Sequence, residues 1–330
     1  MPASLPPLGV TFTPPYSLGA ASLLSVARRA EELGYRSFWT SEITGPETFS
    51  TLGAISVAAP SLDLASGVVA LQLRTPPLLA MAAATLQALA PERDVMVGIG
   101  ISSPVVAGRW HGATYGDRPL SQVREFVEVL RACLSGEPVD YKGAFYRVSR
   151  FRLGVAMGER RPRIVLGALN PGMLRLAGEV ADGVLLSYLP PSHVPRSVEH
   201  VRAGGDAAVY AYVHCRLGDP EANRDEARKH LFGYLTVDAY ATSFARAGYA
   251  ATVREVRERY RSGDKEGALA AISDDLVDGI DRIGDAGHLR ASLAAYAEAG
   301  VDFPIVSPLP WGPDRFEAVL ATLEAAAGAG

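Results

Sequence analysis

Two cysteines in 330 residues, Cys133 and Cys215, are too few for a disulfide framework. One falls in a helix-like pattern and the other ends an apolar strand-like run, so both read as buried thiols. No block of like charge stands out and the net charge is −4, which argues against a nucleic-acid partner. The apolar runs are too short to span a bilayer. Residues 1–7 lack the basic start and apolar stretch of a secretory leader. No membrane partner is therefore expected, and the cytoplasm is the expected location. His-Glu-x-x-His is missing, as are paired cysteines, so no metal site is expected. No serine sits in a Gly-x-Ser-x-Gly elbow, which argues against an α/β-hydrolase. Gly98-Ile99-Gly100 is not a dinucleotide fingerprint, because Ser103 stands where the third glycine should be.

What the chain does have is a repeated strand–loop–helix pattern. Strands are predicted at residues 8–12, 37–41, 64–70, 95–100, 163–169, 183–188, 207–214 and 303–307. Several are continuous Val/Ile/Leu runs, as parallel strands covered on both faces must be. The intervening helices carry their own punctuation: residues 22–33 are amphipathic and stop at Gly34. Residues 120–134 form a longer amphipathic helix, with Arg124 and Glu128 spaced for an exposed pair. Eight such units predict one α/β domain over residues 1–330, a closed (β/α)8 barrel, since a doubly wound sheet would use fewer strands. Two stretches exceed a simple unit. Residues 140–161 are expected to form a loop or hairpin, and the polar, helix-rich residues 219–281 a helical insertion, an extra pair, after the seventh strand.

Parallel strands covered by helices carry their chemistry at their C-terminal edge, so candidate residues are sought there. Val165-Leu166-Gly167-Ala168-Leu169-Asn170-Pro171-Gly172 ends a strand in small residues and opens a helix with proline. The free N–H groups and dipole of that helix start suit an anion; the plain alternative is a tight turn with Asn170 as N-cap. Glu42 follows the second strand at the rim, where a carboxylate could position substrate or donate a proton, or simply be solvated. His111, in the long loop after the fourth strand, is a candidate acid or a structural residue. His214 is a second candidate, for the pocket floor, whereas His193, His200, His230 and His288 read as loop or helix-surface residues.

Several stretches, in this order and spacing, are similar to one family. They include Ala30-Glu31-Glu32-Leu33-Gly34-Tyr35, Trp39-Thr40-Ser41-Glu42, Arg74-Thr75-Pro76-Pro77 and Gly98-Ile99-Gly100-Ile101-Ser102-Ser103-Pro104. Further ones are Trp110-His111-Gly112, Tyr115-Gly116-Asp117-Arg118-Pro119, Gly167-Ala168-Leu169-Asn170-Pro171 and Ala181-Asp182-Gly183. The chain thus resembles the bacterial luciferase-like monooxygenase superfamily, in its F420-dependent oxidoreductase branch, with methylene-tetrahydromethanopterin reductase-like relatives. The resemblance implies hydride transfer between the deazaflavin F420 and a small organic substrate at the barrel mouth. The alternatives are an FMN-dependent monooxygenase and a non-catalytic flavin-binding barrel. It implies a cofactor phosphate near Gly167, Ala168, Leu169, Asn170 and Gly172. Gly98 and Gly100 would leave room for a flat ring, Ser102 and Ser103 would offer hydroxyls to its tail, and Gly67-Val68 would carry a non-prolyl cis peptide behind it. Relatives that oxidise sugar phosphates have an acid–histidine pair where this chain has Glu42-Ile43, and an acid where it has Ile101. That departure speaks against a sugar-phosphate substrate. A homodimer through the apolar helical face of residues 78–89 is also implied.

Overall fold

The computed structural model describes residues 5–328. Its first half runs β1 (Gly9–Thr11), α1 (Ala21–Glu32), β2 (Ser37–Thr40), α2 (Thr48–Ala58), β3 (Asp63–Ser66), β4 (Val69–Ala70), α3 (Pro76–Leu89), β5 (Val95–Gly100) and α4 (Pro119–Leu134). An antiparallel hairpin of β6 (Val139–Lys142) and β7 (Arg147–Phe151) follows, then β8 (Arg163–Gly167), α5 (Pro171–Val180), β9 (Gly183–Leu186), α6 (Val194–Arg202) and β10 (Ala208–Leu217). Five helices come next: α7 (Arg224–Leu235), α8 (Asp238–Phe244), α9 (Ala250–Arg261), α10 (Lys265–Ala270) and α11 (Asp274–Ile280). The chain closes with β11 (Asp281–Gly284), α12 (Ala286–Glu298), β12 (Phe303–Pro308) and α13 (Arg315–Ala327).

Strands β1, β2, β3, β5, β8, β9, β10 and β12 are parallel neighbours in that order, and β12 returns to β1. The sheet is therefore a closed eight-stranded barrel ringed by helices, as the strand pattern predicts. Side chains alternate across it. Val10, Phe38, Leu64, Val97, Leu166, Val184, Val209 and Val306 face the helices and join the large outer core. Trp39, Ala65, Met96, Val165, Leu185, Tyr210 and Ile305 face inward and plug the barrel. Both faces must be apolar, which is why the strands read as unbroken hydrophobic runs.

Helix starts follow local chemistry. Thr75 caps α3 by accepting from the Leu78 N–H, with Pro76 at the first helical position. The carboxylate of Glu47 accepts from Ser50 N–H at the start of α2. Gly34 ends the α1 connection at φ +79°, a region open to glycine at little cost. The hairpin is held from below by Glu125 of α4, whose carboxylate accepts from the N–H groups of Ala144, Phe145 and Tyr146 at 2.8–3.0 Å.

Four sequence expectations change. The predicted third strand is broken at Gly67-Val68 into β3 and β4. The seventh does not end at His214 but runs on to Leu217, because β11 pairs with its upper half along the edge that β9 occupies below. The helical stretch after it holds five helices, not a pair, packed around their own apolar cluster that includes Leu231, Phe244, Val256, Ile272 and Leu276. Arg124 and Glu128 do not pair: Arg124 reaches Glu179 on α5, and Glu128 accepts from the Tyr141 hydroxyl at 3.3 Å. An exposed i,i+4 pair contributes only about 0.3–0.5 kcal/mol, so neighbours easily outcompete it.

Candidate active site at the barrel mouth

Two residues beyond the inward-facing plug, the same alternation puts Ser41, Gly98, Gly167, Ser187, Tyr212 and Ser307 on the inner face. A layer of hydroxyls and bare backbone thus lies directly above an apolar floor. The floor is aromatic where β2 and β10 look at each other. Trp39 lies 5.1 Å from the Tyr210 ring and 6.5 Å, edge-on, from Tyr212. The Trp39 indole N–H donates to Ser37 Oγ at 2.9 Å. The Tyr212 hydroxyl donates to the carbonyl of Gly67 at 2.6 Å.

The Gly67–Val68 peptide is cis, as the resemblance implies. The glycines around it also answer a steric need within the fold. A Cβ on Gly98 would stand 1.9 Å from the carbonyl oxygen of Ser66, and one on Gly100 would stand 2.5 Å from Val68 Cγ2. A Cβ on Gly167 would also touch Val68, at 3.2 Å, and one on Gly67 would meet the Tyr212 hydroxyl at 1.9 Å. The space these glycines leave is filled from within, by the bulge between β3 and β4 and by the Val68 side chain. They make room for that bulge.

At the rim, Glu42 is engaged by Arg74. Its Oε1 accepts from Nη2 at 3.2 Å, while Oε2 lies 2.7 Å from Nη1 but off the N–H direction, charge-paired without a hydrogen bond. The same guanidinium also pairs with Glu47 and covers the Phe49 ring at 5.4 Å. Glu42 is thus half of a nearly enclosed ion pair, with 15% of its side chain exposed. His111 is exposed, and its Nε2 donates to the Ile43 carbonyl at 2.6 Å. That bond ties the loop after β5 to the loop after β2. Ser103 Oγ accepts from the Val106 N–H and caps the π-turn Pro104–Trp110, which leaves its O–H free to donate. Ser102 lies half-buried beside it.

On the opposite side of the mouth, Asn170 does not cap α5 with its side chain. Its amide turns to the helical insertion, donating to the Ala239 carbonyl at 3.2 Å and accepting from Arg246 Nη1 at 2.7 Å. Arg246 is a residue that sequence reasoning missed. It brings a cation to the first turn of α5, next to Gly167, Ala168, Leu169 and Gly172, where the helix dipole already favours an anion.

A second group, of which only His214 was a candidate from sequence, joins the insertion to the segment after β9, to β10 and to the start of β11. Tyr188, in the left-handed region at φ +53°, is sandwiched between His214 at 4.1 Å and Tyr234 at 3.8 Å. His230 Nδ1 donates to Asp281 Oδ2 at 3.1 Å, so its Nε2 accepts from the Tyr188 hydroxyl at 3.0 Å. His230 is therefore part of a buried network and not a helix-surface residue. Burial and the neighbouring His230 push the His214 pKa well below its ordinary value, which keeps the imidazole neutral. Burial likewise holds the Tyr188 hydroxyl in its protonated form. The sequence signals for Tyr188 and His214 were their places at strand ends; His230 and Asp281, 51 residues apart, carried none.

Among the described residues, no cluster of His, Cys, Asp or Glu is arranged to hold a metal ion, and no helix is long and apolar enough to cross a membrane. A shallow polar concavity of about 370 Å³ lies among Arg163, Asp182 and Asp206, at the N-terminal strand ends. Its position, opposite the face that carries barrel chemistry, sets it apart from the mouth.

Residues 10–302 match the family described as luciferase-like monooxygenase. A Mycobacterium tuberculosis protein named as a coenzyme F420-dependent oxidoreductase is 29% identical over 84% of this chain and 88% of its own. The 5,10-methylenetetrahydromethanopterin reductase of Archaeoglobus fulgidus is 26% identical over 94% of this chain and 96% of its own. Among solved structures, the F420-dependent tetrahydromethanopterin reductase of Methanopyrus kandleri superposes with a TM-score of 0.79 over 98% of both chains, at 21% identity.

Proposed function

The chain belongs to the luciferase-like monooxygenase family, and from that premise we propose that it is an F420-dependent oxidoreductase moving a hydride between the deazaflavin and a small organic substrate. The relatives' names support the cofactor. The observation that supports the site is Arg246, which the insertion brings to Asn170 where β8 gives way to α5. Residues Gly167, Ala168, Leu169, Asn170 and Gly172 with Arg246 would hold the phosphate end. The hydroxyl layer of Ser41, Ser187, Ser307 and Tyr212 would receive the ring above the Trp39 floor.

When bound, the deazaflavin supplies the hydride-carrying carbon, a centre that does not form an oxygen adduct productively. The chain supplies orientation, exclusion of water and charge balance. Helices α7 and α8 bring Tyr234 and Tyr240 against Tyr188 over the β9 side of the mouth, which keeps bulk water from that wall. The Arg74–Glu42 pair and the His111–Ile43 bond hold the opposite rim together. With Ile43 at the rim after β2 and His214 neutral, the mouth suits an uncharged substrate better than a sugar phosphate; Ile101 packs against the outer core and does not line it.

Titration of the purified protein with F420 and with FMN, followed by quenching of its three tryptophans, tests this reading. F420 is expected to bind more tightly than FMN. Arg246→Ala should weaken F420 about 10- to 100-fold, the loss of one charge-assisted hydrogen bond to phosphate. Preference for FMN would move the protein to the monooxygenase reading, and tight binding without turnover on any substrate to a non-catalytic barrel.

The reading extends to self-association. Val57, Leu78, Met81 and Leu89 are 79, 52, 48 and 56% exposed on α2 and α3, around an apolar groove of about 240 Å³ lined by Phe49, Leu78, Met81 and Leu89. Contiguous apolar surface of this kind is characteristic of interfaces, and we assign it to pairing of two copies. Sedimentation should give twice the mass of the 34.9 kDa chain, falling to that of one chain in Leu78→Glu. A single-chain mass for the unaltered protein would refute the assignment.

A further inference from the structure

We propose that Gln72 is a specificity residue for the cofactor ring: its carboxamide pairs with the imide edge of the pyrimidinedione, the N–H flanked by carbonyl oxygens. The proposal rests on the deazaflavin reading above and deepens it to one side chain. Gln72 follows β4 in the short turn Leu71–Leu73. Val69 and Leu71 belong to the outer core, whereas Val68 packs against the barrel plug. Gln72 lies just beyond the strand, in the turn that leaves β4. Ala70 pairs with Gly100, the last residue of β5, so the turn that holds Gln72 lies just beyond the C-terminal ends of these strands, at the mouth.

Both polar atoms of this side chain, Nε2 and Oε1, are enclosed, and neither has a hydrogen-bond partner among the described residues. Gln87, the other enclosed glutamine, is satisfied in part: its Nε2 donates to the carbonyls of Ala90 and Arg93, at 3.0 and 2.9 Å, and only its Oε1 has no partner among the described residues. The nearest cation along the chain cannot serve Gln72, because Arg74 is committed to Glu42 and Glu47. An enclosed amide with no partner is unfavourable for folding alone, so its presence at the mouth points to a partner that arrives with the ligand. A carboxamide offers one donor and one acceptor side by side in a plane. The neutral group that matches it is a lactam or imide edge, and every deazaflavin and flavin ring carries one. A phosphate would use only the donor, and an ammonium only the acceptor.

The test uses the full-length protein with Gln72→Leu, which keeps the bulk without the amide, and Gln72→Glu, which keeps only acceptors. Kd for F420, from tryptophan quenching and from the shift of the ring's visible absorption band, is measured alongside thermal melting of the unliganded protein. Gln72→Leu should melt at or above the temperature of the unaltered protein and bind F420 about tenfold or more weakly, with a smaller band shift. Gln72→Glu should bind more weakly still, because its carboxylate faces the ring carbonyls. Unaltered F420 affinity in Gln72→Leu, with the original protein binding well, overturns the inference alone. Failure of the original protein to bind either F420 or FMN overturns the cofactor reading and the inference together. A marked fall in the melting temperature of unliganded Gln72→Leu would mean that the amide has a partner within the fold, which also overturns it.

Discussion

Trp39→Ala is expected to destabilise the protein by about 3–5 kcal/mol, the cost of removing a buried Trp or Phe side chain from a packed core. Trp39 has no exposed surface and is among the largest enclosed side chains of the barrel plug. Its removal takes away the ring against which Tyr210 and Tyr212 pack, and it leaves Ser37 Oγ without its indole donor. The barrel cannot collapse into the void, because its radius is set by strand number and hydrogen-bond stagger. Trp39→Phe retains an aromatic ring and loses the hydrogen bond and some volume, for an expected cost of about 1–2 kcal/mol. Urea unfolding with an unchanged slope would measure both. A loss below about 1.5 kcal/mol for Trp39→Ala would mean that the plug is not tightly packed there. The effect should extend to the mouth: Tyr212, freed from its edge contact, would no longer hold the Gly67 carbonyl in one position, and ligand affinity would fall with stability.

Gly98→Ala is expected to cost about 3 kcal/mol or more, at the upper end of overpacking effects, although only a methyl group is added. The added carbon would lie 1.9 Å from the Ser66 carbonyl oxygen, which is backbone and cannot rotate away. Strands β3 and β5 are joined at this level by Ser66 itself, whose hydroxyl accepts from Gly98 N–H at 2.8 Å and donates to Gly98 carbonyl at 3.1 Å. Relief would require the strands to part, which breaks both bonds inside the barrel. Gly53→Ala is the matched control. It lies on α2 with nothing within 4 Å of its added carbon, and alanine is favoured over glycine in a helix by about 1 kcal/mol. Thermal or urea unfolding should therefore move in opposite directions for the two variants. Equal stability of Gly98→Ala and the unaltered protein would disprove the close approach of Ser66.

How much of this was legible beforehand can be judged residue by residue. Glu42 and His111 were correctly placed near the rim by their positions after strands. Their partners, Arg74 and the Ile43 carbonyl, follow from how two loops lie across each other. Asn170 is legible at the start of α5, as part of an anion site or, alternatively, as an N-cap, and its side chain does not cap the helix. The observed partner, Arg246, is 76 residues away in the insertion. Gly98 and Gly100 stand out in the sequence, but the close approach of the Ser66 carbonyl and the Val68 side chain to them is set by the neighbouring strand.

The architecture was determined by the sequence itself. A strand buried on both faces has to be apolar at every position, a helix around it has to repeat its apolar residues at 3.6, and proline, glycine and threonine mark where one gives way to the other. Those rules act over a few residues, so a single sequence displays them: eight strand runs, their helices and the edge that bears the chemistry. The tertiary structure alone decided which polar groups meet at that edge. Arg246 reaches α5 and Asp281 orients His230 toward Tyr188 because barrel closure brings distant loops to one rim, and Gln72 stands enclosed there without a partner among the described residues. Hydrogen bonds and steric contacts act over a few ångströms of space, and local periodicity carries no record of which distant residues will share those ångströms.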